Sequence, residues 1–105
     1  MIFTDLDGTL LDHDTYSYEE ASPSVELCRT YNIPIVIVSS KTKAEIISIR
    51  RKLGIYHPFV SENGGAIYFD DDTNYKLPSG TIPINGLKRL SLGVSYSYLV
   101  KALRE

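Results

Sequence analysis

The chain has 105 residues, 13 of them acidic and 11 Lys or Arg, for a formal net charge of −2. That length allows one small domain with a modest core, and the balance of charge carries no basic patch of the kind that binds nucleic acid. The longest apolar run, Ile33 to Val38, is interrupted by Pro34 and too short to cross a membrane; no basic segment followed by an apolar stretch marks a signal peptide; and Cys28 is alone, which rules out an internal disulfide and reads as a small buried hydrophobe. A cytoplasmic setting is expected.

In chain order, Ile2 to Thr4 is a short apolar strand, and His13 to Glu20 a polar loop. Ser22 before Pro23 predicts a helix start, a capping hydroxyl followed by a proline in the first turn. Val25, Leu27 and Cys28 form that helix's apolar face and Asn32 closes it. Ile33 to Val38 is β-branched and almost wholly apolar, as in a strand buried on both faces of a parallel sheet. Thr42 to Leu53 is the second helix, with Ala44, Ile46, Ile47 and Ile49 on its apolar side, Arg50, Arg51 and Lys52 near its negative dipole end, and Gly54 as its stop. Phe59-Val60 and Ala66 to Phe69 are strands separated by the turn Glu62-Asn63-Gly64-Gly65, and Asp71 to Asn74 is another turn. Pro78, Gly80 and Pro83 mark Leu77 to Asn85 as a connector, and Ser95 to Arg104 is an amphipathic helix with Tyr98, Leu99 and Leu103 on one side. The βαβαβ order predicts an α/β fold with a doubly wound parallel sheet and right-handed crossovers.

Three constellations carry chemistry. The first is Ile2-Phe3-Thr4-Asp5-Leu6-Asp7-Gly8-Thr9-Leu10. Residues i and i+2 leaving a strand point the same way, so Asp5 and Asp7 share one pocket at the strand's carboxyl end, where parallel sheets bind ligands. Two like charges so close call for a cation or a shared proton, and Mg²⁺ takes one or two carboxylates with water and phosphate oxygens. A carboxylate there can attack phosphorus, and its neighbour can protonate the leaving oxygen and then deprotonate water. Gly8 permits a tight turn, and the Thr9 hydroxyl can bond a carboxylate or backbone group. Asp and Gly also make ordinary turns; the apolar strand before this one and the Thr-Leu-Leu after it favour the functional reading.

The second is Ser39-Ser40-Lys41-Thr42 at the mouth of the Ile35 to Val38 strand. A hydroxyl and an ammonium beside a helix start can hold a phosphate. Thr42 with Glu45 also fits a capping box, and both can hold together if Thr42 caps while Ser39 faces the phosphate. The third is Ser61-Glu62-Asn63-Gly64-Gly65-Ala66-Ile67, which alone would be a hairpin turn.

Asp5-Leu6-Asp7-Gly8-Thr9-Leu10-Leu11 resembles the first signature of the haloacid dehalogenase-like (HAD) phosphatases. The resemblance implies a HAD-like (Rossmann-like) parallel core, with Asp5 as nucleophile, Asp7 as general acid/base, and Mg²⁺ held by Asp5 and by Asp7 through its backbone carbonyl. Ser39 matches the second signature, a Ser or Thr closing an apolar strand, which implies phosphate contacts there and extends to Ser40, Lys41 and Thr9. The Asn63-Gly64 segment is similar to that of the subgroup with a large α/β cap, where it orients an active-site loop or contacts substrate. Within that subgroup, Ser39 to Glu45 and Phe59 to Ile67 look most like the mannosyl-3-phosphoglycerate phosphatase family. That implies a small phosphorylated sugar–glycerate substrate, with another sugar phosphate, or an inactive phosphate-binding chain, as alternatives.

On this resemblance residues 1–80 are the amino-terminal part of the core, and 81–105 a connector with the first helix of a cap. The family pattern calls for two later signatures, a Lys or Arg and an acidic pair in a Gly-Asp setting. Neither occurs in these residues, and Lys88 and Lys101 do not take the first role. The last helix is expected to leave its apolar face exposed, self-associated or awaiting a partner segment. His13, His57 and the acidic run Asp70-Asp71-Asp72 are expected at the surface, and the eight tyrosines at the core edge and surface.

Overall fold

The computed structural model describes residues 1–104. The elements run β1 (Ile2–Thr4), α1 (Ser22–Thr30), β2 (Ile35–Val38), α2 (Lys43–Leu53), β3 (Phe59–Ser61), a single helical turn (Glu62–Gly64), β4 (Ala66–Asp70), β5 (Ile82–Ile84), β6 (Leu87–Ser91) and α3 (Tyr96–Arg104). One sheet joins all the strands in the order β1-β2-β3-β4-β6-β5. The βαβαβ half is parallel, with Ile2 opposite Ile35 and Ile37 opposite Phe59. Beyond that parallel half, β4 turns back antiparallel on β3, and β6 and β5 continue antiparallel beyond it.

Period-2 alternation decides what each strand buries. Ile35 and Ile37 project from one face of β2, and Phe59, Tyr68 and Leu87 continue that side across β3, β4 and β6. Val25 of α1 and Ile46 and Leu53 of α2 pack into the same apolar cluster, so both helices cover one face. Phe59 and Tyr68 stack with ring centroids 5.0 Å apart. The opposite face is more open, with Phe3 67% and Val38 37% exposed.

Helix ends follow the sequence in one case and depart from it in another. Thr42 caps α2 as expected: its hydroxyl accepts from the Glu45 N–H, and the Glu45 carboxylate accepts from the Thr42 N–H at 2.8 Å. The bond from the Thr42 N–H, and then one that the Thr42 hydroxyl donates to the same carboxylate at 2.9 Å, hold the Glu45 carboxyl below its ordinary pKa. Ser22 does not cap α1. It is the first helical residue, and its hydroxyl donates back to the Tyr18 carbonyl at 3.2 Å. Leu27, expected on the buried side of α1, is 59% exposed.

Gly54 ends α2 in the left-handed region, at φ 68°. The Arg29 guanidinium reaches across from α1 and donates to the Leu53 and Gly54 carbonyls, both at 3.1 Å, satisfying the acceptors that a helix end leaves unpaired. A β-carbon at Gly54 collides with that guanidinium and sits on a strained φ. Gly54→Ala is therefore expected to cost roughly 1–2 kcal/mol, read as a lowered urea midpoint with an unchanged slope. A midpoint equal to wild type would refute the double role of this glycine.

The stretch with the punctuation of a connector contains β5, the first strand of the β5–β6 hairpin. Pro83 sits in β5, the edge strand, where a missing N–H is tolerated. Asn85 and Gly86 form the turn at φ 44° and 77°. Helix α3 has no buried residue; Tyr96, Leu99 and Leu103 are exposed, in line with the expected open apolar face.

Candidate active site

The loop after β1 alternates sharply. Leu6 is fully buried in the core, while Asp5 and Asp7 on either side of it are exposed. One Asp5 carboxylate oxygen accepts from the Leu6 N–H at 2.7 Å, which fixes the side chain at the strand's end. The chain then closes a compact turn: Leu11 N–H donates to the Leu6 carbonyl at 2.8 Å, and Gly8 N–H to the Leu11 carbonyl at 2.9 Å. Gly8 takes φ 74°, a conformation that favours glycine, with the His13 ring against the place a β-carbon would occupy.

Lys41 meets this turn from β2's side. Its Nζ lies 3.5 Å from Asp7 Oδ1, so the second constellation is brought to the first. Ser39 is buried. Its Oγ accepts from the Lys41 N–H at 3.2 Å, which leaves its own proton available to donate. Ser40 is exposed beside it.

The third constellation holds the second in place through its backbone. Asn63 N–H donates to the Ser39 carbonyl at 3.1 Å and Glu62 N–H to the Lys41 carbonyl at 3.0 Å. These bonds require an unusual path: Glu62, Asn63 and Gly64 take φ 51°, 54° and 94° in succession. Positive φ at two non-glycine residues is strain that clusters at functional loops. Asn63 is exposed and Gly64 half-buried at the same end of the sheet.

Asp5, Asp7, Ser39, Ser40, Lys41, Asn63 and Gly64 thus lie on linked loops at the carboxyl end of β1, β2 and β3. Thr9 follows Gly8 in the same turn and lines a cavity of about 490 Å³ toward α1 with His13, Ser17 and Glu20.

Two residues were not singled out by the sequence. Asp12 folds the following loop: its carboxylate accepts from the Asp14 and Thr15 N–H groups and the Thr15 hydroxyl, at 3.0, 2.8 and 3.1 Å. The Thr15 N–H bond, then that of Asp14, holds the Asp12 carboxyl below its ordinary pKa. Asp followed three residues on by Thr is a legible turn signal. Tyr16, carried by that loop, places its ring 5.5 Å from Lys41 Nζ; nothing in the sequence separates it from the other tyrosines.

Residues 2–91 match the haloacid dehalogenase-like hydrolase family. The whole chain is 42% identical to a glucosyl-3-phosphoglycerate/mannosyl-3-phosphoglycerate phosphatase of Methanococcoides burtonii, and spans 39% of that protein's length. A phosphatase of the same name from Persephonella marina is 55% identical over 69 residues, 66% of this chain and 26% of its own. A haloacid dehalogenase-like hydrolase from B. subtilis superposes with a TM-score of 0.51 at 31% identity, over 63% of this chain and 23% of that one. With the family match running from β1 through β6 and the paired aspartates at the end of β1, the chain belongs to the haloacid dehalogenase-like hydrolases.

Proposed function

We propose that this chain is the amino-terminal part of a phosphomonoesterase that works through an aspartyl-phosphate. One observation carries the reading: Asp5 and Asp7 stand exposed on either side of the buried Leu6 at the end of β1, and the ammonium of Lys41 lies 3.5 Å from Asp7. An Asp5 carboxylate oxygen attacks phosphorus as the bond from phosphorus to the ester oxygen breaks. Asp7 gives that oxygen its proton. Asp7 then takes a proton from water, the new hydroxide attacks phosphorus, and the bond to Asp5 breaks to release inorganic phosphate. Ser39 donates its hydroxyl proton to a phosphate oxygen, with Ser40, Lys41 and the Asn63-Gly64 turn completing the anion-binding rim. Thr9 supports the turn carrying the aspartates.

The oxygen donors here, the Asp5 carboxylate and the Asp7 backbone carbonyl, are hard ligands suited to Mg²⁺. Among the described residues no group of three or more His, Cys, Asp or Glu side chains gathers for a metal. Asp5 and the Asp7 carbonyl would supply two of the ion's ligands, with water and substrate oxygens among the others. When bound, it offsets charge on the transferring phosphoryl group.

The substrate we infer is a phosphorylated sugar–glycerate, mannosyl- or glucosyl-3-phosphoglycerate, in support of which stand the names of the two phosphatase relatives. Residues 1–80 belong on this reading to the core, and 81–105 lead into a cap, with the β5–β6 hairpin lying along the core sheet. No helix among the described residues is long and apolar enough to cross a membrane.

The test is phosphate release by the whole protein from mannosyl-3-phosphoglycerate, glucosyl-3-phosphoglycerate and mannose 6-phosphate, with and without Mg²⁺. Release that needs Mg²⁺ and favours the glycerate esters in kcat/KM is expected. Equal kcat/KM for mannose 6-phosphate would overturn the substrate, and no release from any ester would overturn the activity.

A further inference from the structure

Tyr16 occupies a conformation that its side chain opposes. Its φ is 57°, in the left-handed region that a bulky residue rarely adopts. The ring is 59% exposed, so core burial does not hold it there. The loop does. Asp12 N–H donates to the Ser17 carbonyl at 2.7 Å, and Tyr16 N–H donates to the Asp12 carbonyl at 2.9 Å. Ser17 N–H donates to the Thr15 hydroxyl at 3.2 Å, and Asp12 is itself anchored by three bonds from Asp14 and Thr15.

The effect of this cage is to set an aromatic face beside an ammonium. Lys41 Nζ stands 5.5 Å from the Tyr16 ring centroid and 3.5 Å from Asp7 Oδ1. The Lys41 backbone is fixed from both sides, its N–H bonded to Ser39 Oγ and its carbonyl to Glu62 N–H. Only the side chain is free to choose a direction. A cavity of about 510 Å³ that Lys41 and Tyr16 line with Leu11, Ser48 and Lys52 is open beside it as another direction.

We propose that Tyr16 is the positioning residue for Lys41: its ring keeps the ammonium at the aspartate pair, where it can pass from Asp7 to an anionic oxygen of the substrate. The inference rests on the phosphomonoesterase reading for its kinetic consequence, but not for the contact itself. A cation on a ring face is attracted by the ring quadrupole, which needs the ring and not the hydroxyl.

The experiment uses the whole protein and mannosyl-3-phosphoglycerate. Tyr16→Leu is expected to raise KM roughly five-fold, the size of one exposed cation–π contact, with kcat within about two-fold, since the lost contact serves binding. Tyr16→Phe restores the wild-type KM. In a Lys41→Met background Tyr16→Leu adds nothing, because the two act as one unit. Tyr16→Gly, which relieves the backbone, melts no lower than wild type yet shows the raised KM. Additive effects of the Tyr16 and Lys41 changes, or a Tyr16→Phe as impaired as Tyr16→Leu, would overturn the proposal. The NMR signal of the Lys41 ammonium, read without substrate, is expected in wild type and Tyr16→Phe and lost in Tyr16→Leu. Loss of turnover in every protein with that pattern intact would fail the substrate reading alone; an unchanged ammonium signal in Tyr16→Leu would sink the positioning role whatever the turnover.

Discussion

Asp5→Asn is expected to lower phosphate release by about four orders of magnitude or more, the scale on which a covalent nucleophile is lost, while leaving the fold intact. A carboxamide is nearly isosteric with the carboxylate, but its oxygen is a far poorer nucleophile toward phosphorus. The structural cost is small for identifiable reasons. Asp5 is exposed, and the one bond its side chain makes, accepting from the Leu6 N–H at 2.7 Å, is available to an amide oxygen as well. Leu6, which anchors the turn, keeps its place in the core. The check is steady-state phosphate release beside a thermal melt of the same preparation. A melt within about two degrees of wild type combined with lost turnover assigns the effect to chemistry. Retention of more than about one per cent of the activity would remove Asp5 from the nucleophile's role.

The contrast with Asp7 sharpens the test. Asp7→Asn also removes the general acid, yet it frees Lys41 from its partner at 3.5 Å. The Asp7 side chain is 39% exposed and that of Lys41 19%, so water reaches the pair, which contributes about 1 kcal/mol, and its loss does not confuse the kinetic reading. An ester with a better leaving group needs less protonation. It is expected to recover part of the Asp7→Asn defect and little of the Asp5→Asn defect.

How far the molecule could be read from its sequence depends on how local each interaction is. The Asp5-Leu6-Asp7-Gly8 turn, the Thr42–Glu45 box and the Gly54 stop are each complete within about four residues, and all three form as expected. Ser22 failed as a cap because the turn before it runs straight into the helix, so Ser22 is already its first residue and its hydroxyl donates back to the Tyr18 carbonyl. The β5–β6 hairpin was hidden by Pro78, Gly80 and Pro83, although Asn85-Gly86 is a strong two-residue hairpin signal. A proline that argues against a central strand says nothing against an edge strand, and which strand is the edge is a tertiary fact. The same holds at the site. Sequence spacing brought Ser39 and Lys41 to the right strand end, but the bonds from Asn63 and Glu62 that clamp them cross more than twenty residues. Tyr16 was invisible because its position follows from φ 57° and a loop cage rather than from residue type.

Asp70→Asn is expected to destabilise the fold by about 3 kcal/mol, the scale for leaving one charge of a buried pair uncompensated. Arg50 is 5% exposed. Its Nε donates to the Ile55 carbonyl at 3.2 Å, one Nη donates to Asp70 at 2.8 Å, and the guanidinium lies 4.7 Å from the Phe59 ring centroid. Without the carboxylate charge, that mostly buried cation keeps one carbonyl, a ring face and at most a neutral amide oxygen. Arg50→Met leaves the opposite residue behind, and the Asp70 side chain is 26% exposed, so water can take it back. The methionine also retains packing on Phe59, so this variant is expected to cost less than Asp70→Asn. Against a typical domain stability of about 5–15 kcal/mol, the asymmetry is easily read in urea unfolding. Equal losses, or a larger one for Arg50→Met, would show that the pair acts by its attraction rather than by compensating a buried cation. His57 supplies a second readout. Its pKa is held below the ordinary histidine value, first by burial and then by the Arg50 charge, with Asp70 opposing. The unfolded chain therefore binds the proton more readily, so this part of the stability is complete above about pH 6.5 and is lost as pH falls toward the folded value. Asp70→Asn removes the opposing charge, drives the folded value lower and extends the loss to lower pH. The gap in stability between wild type and Asp70→Asn is expected to widen as pH is lowered from 7 toward 5. A gap that stays constant would mean that His57 does not sense Asp70.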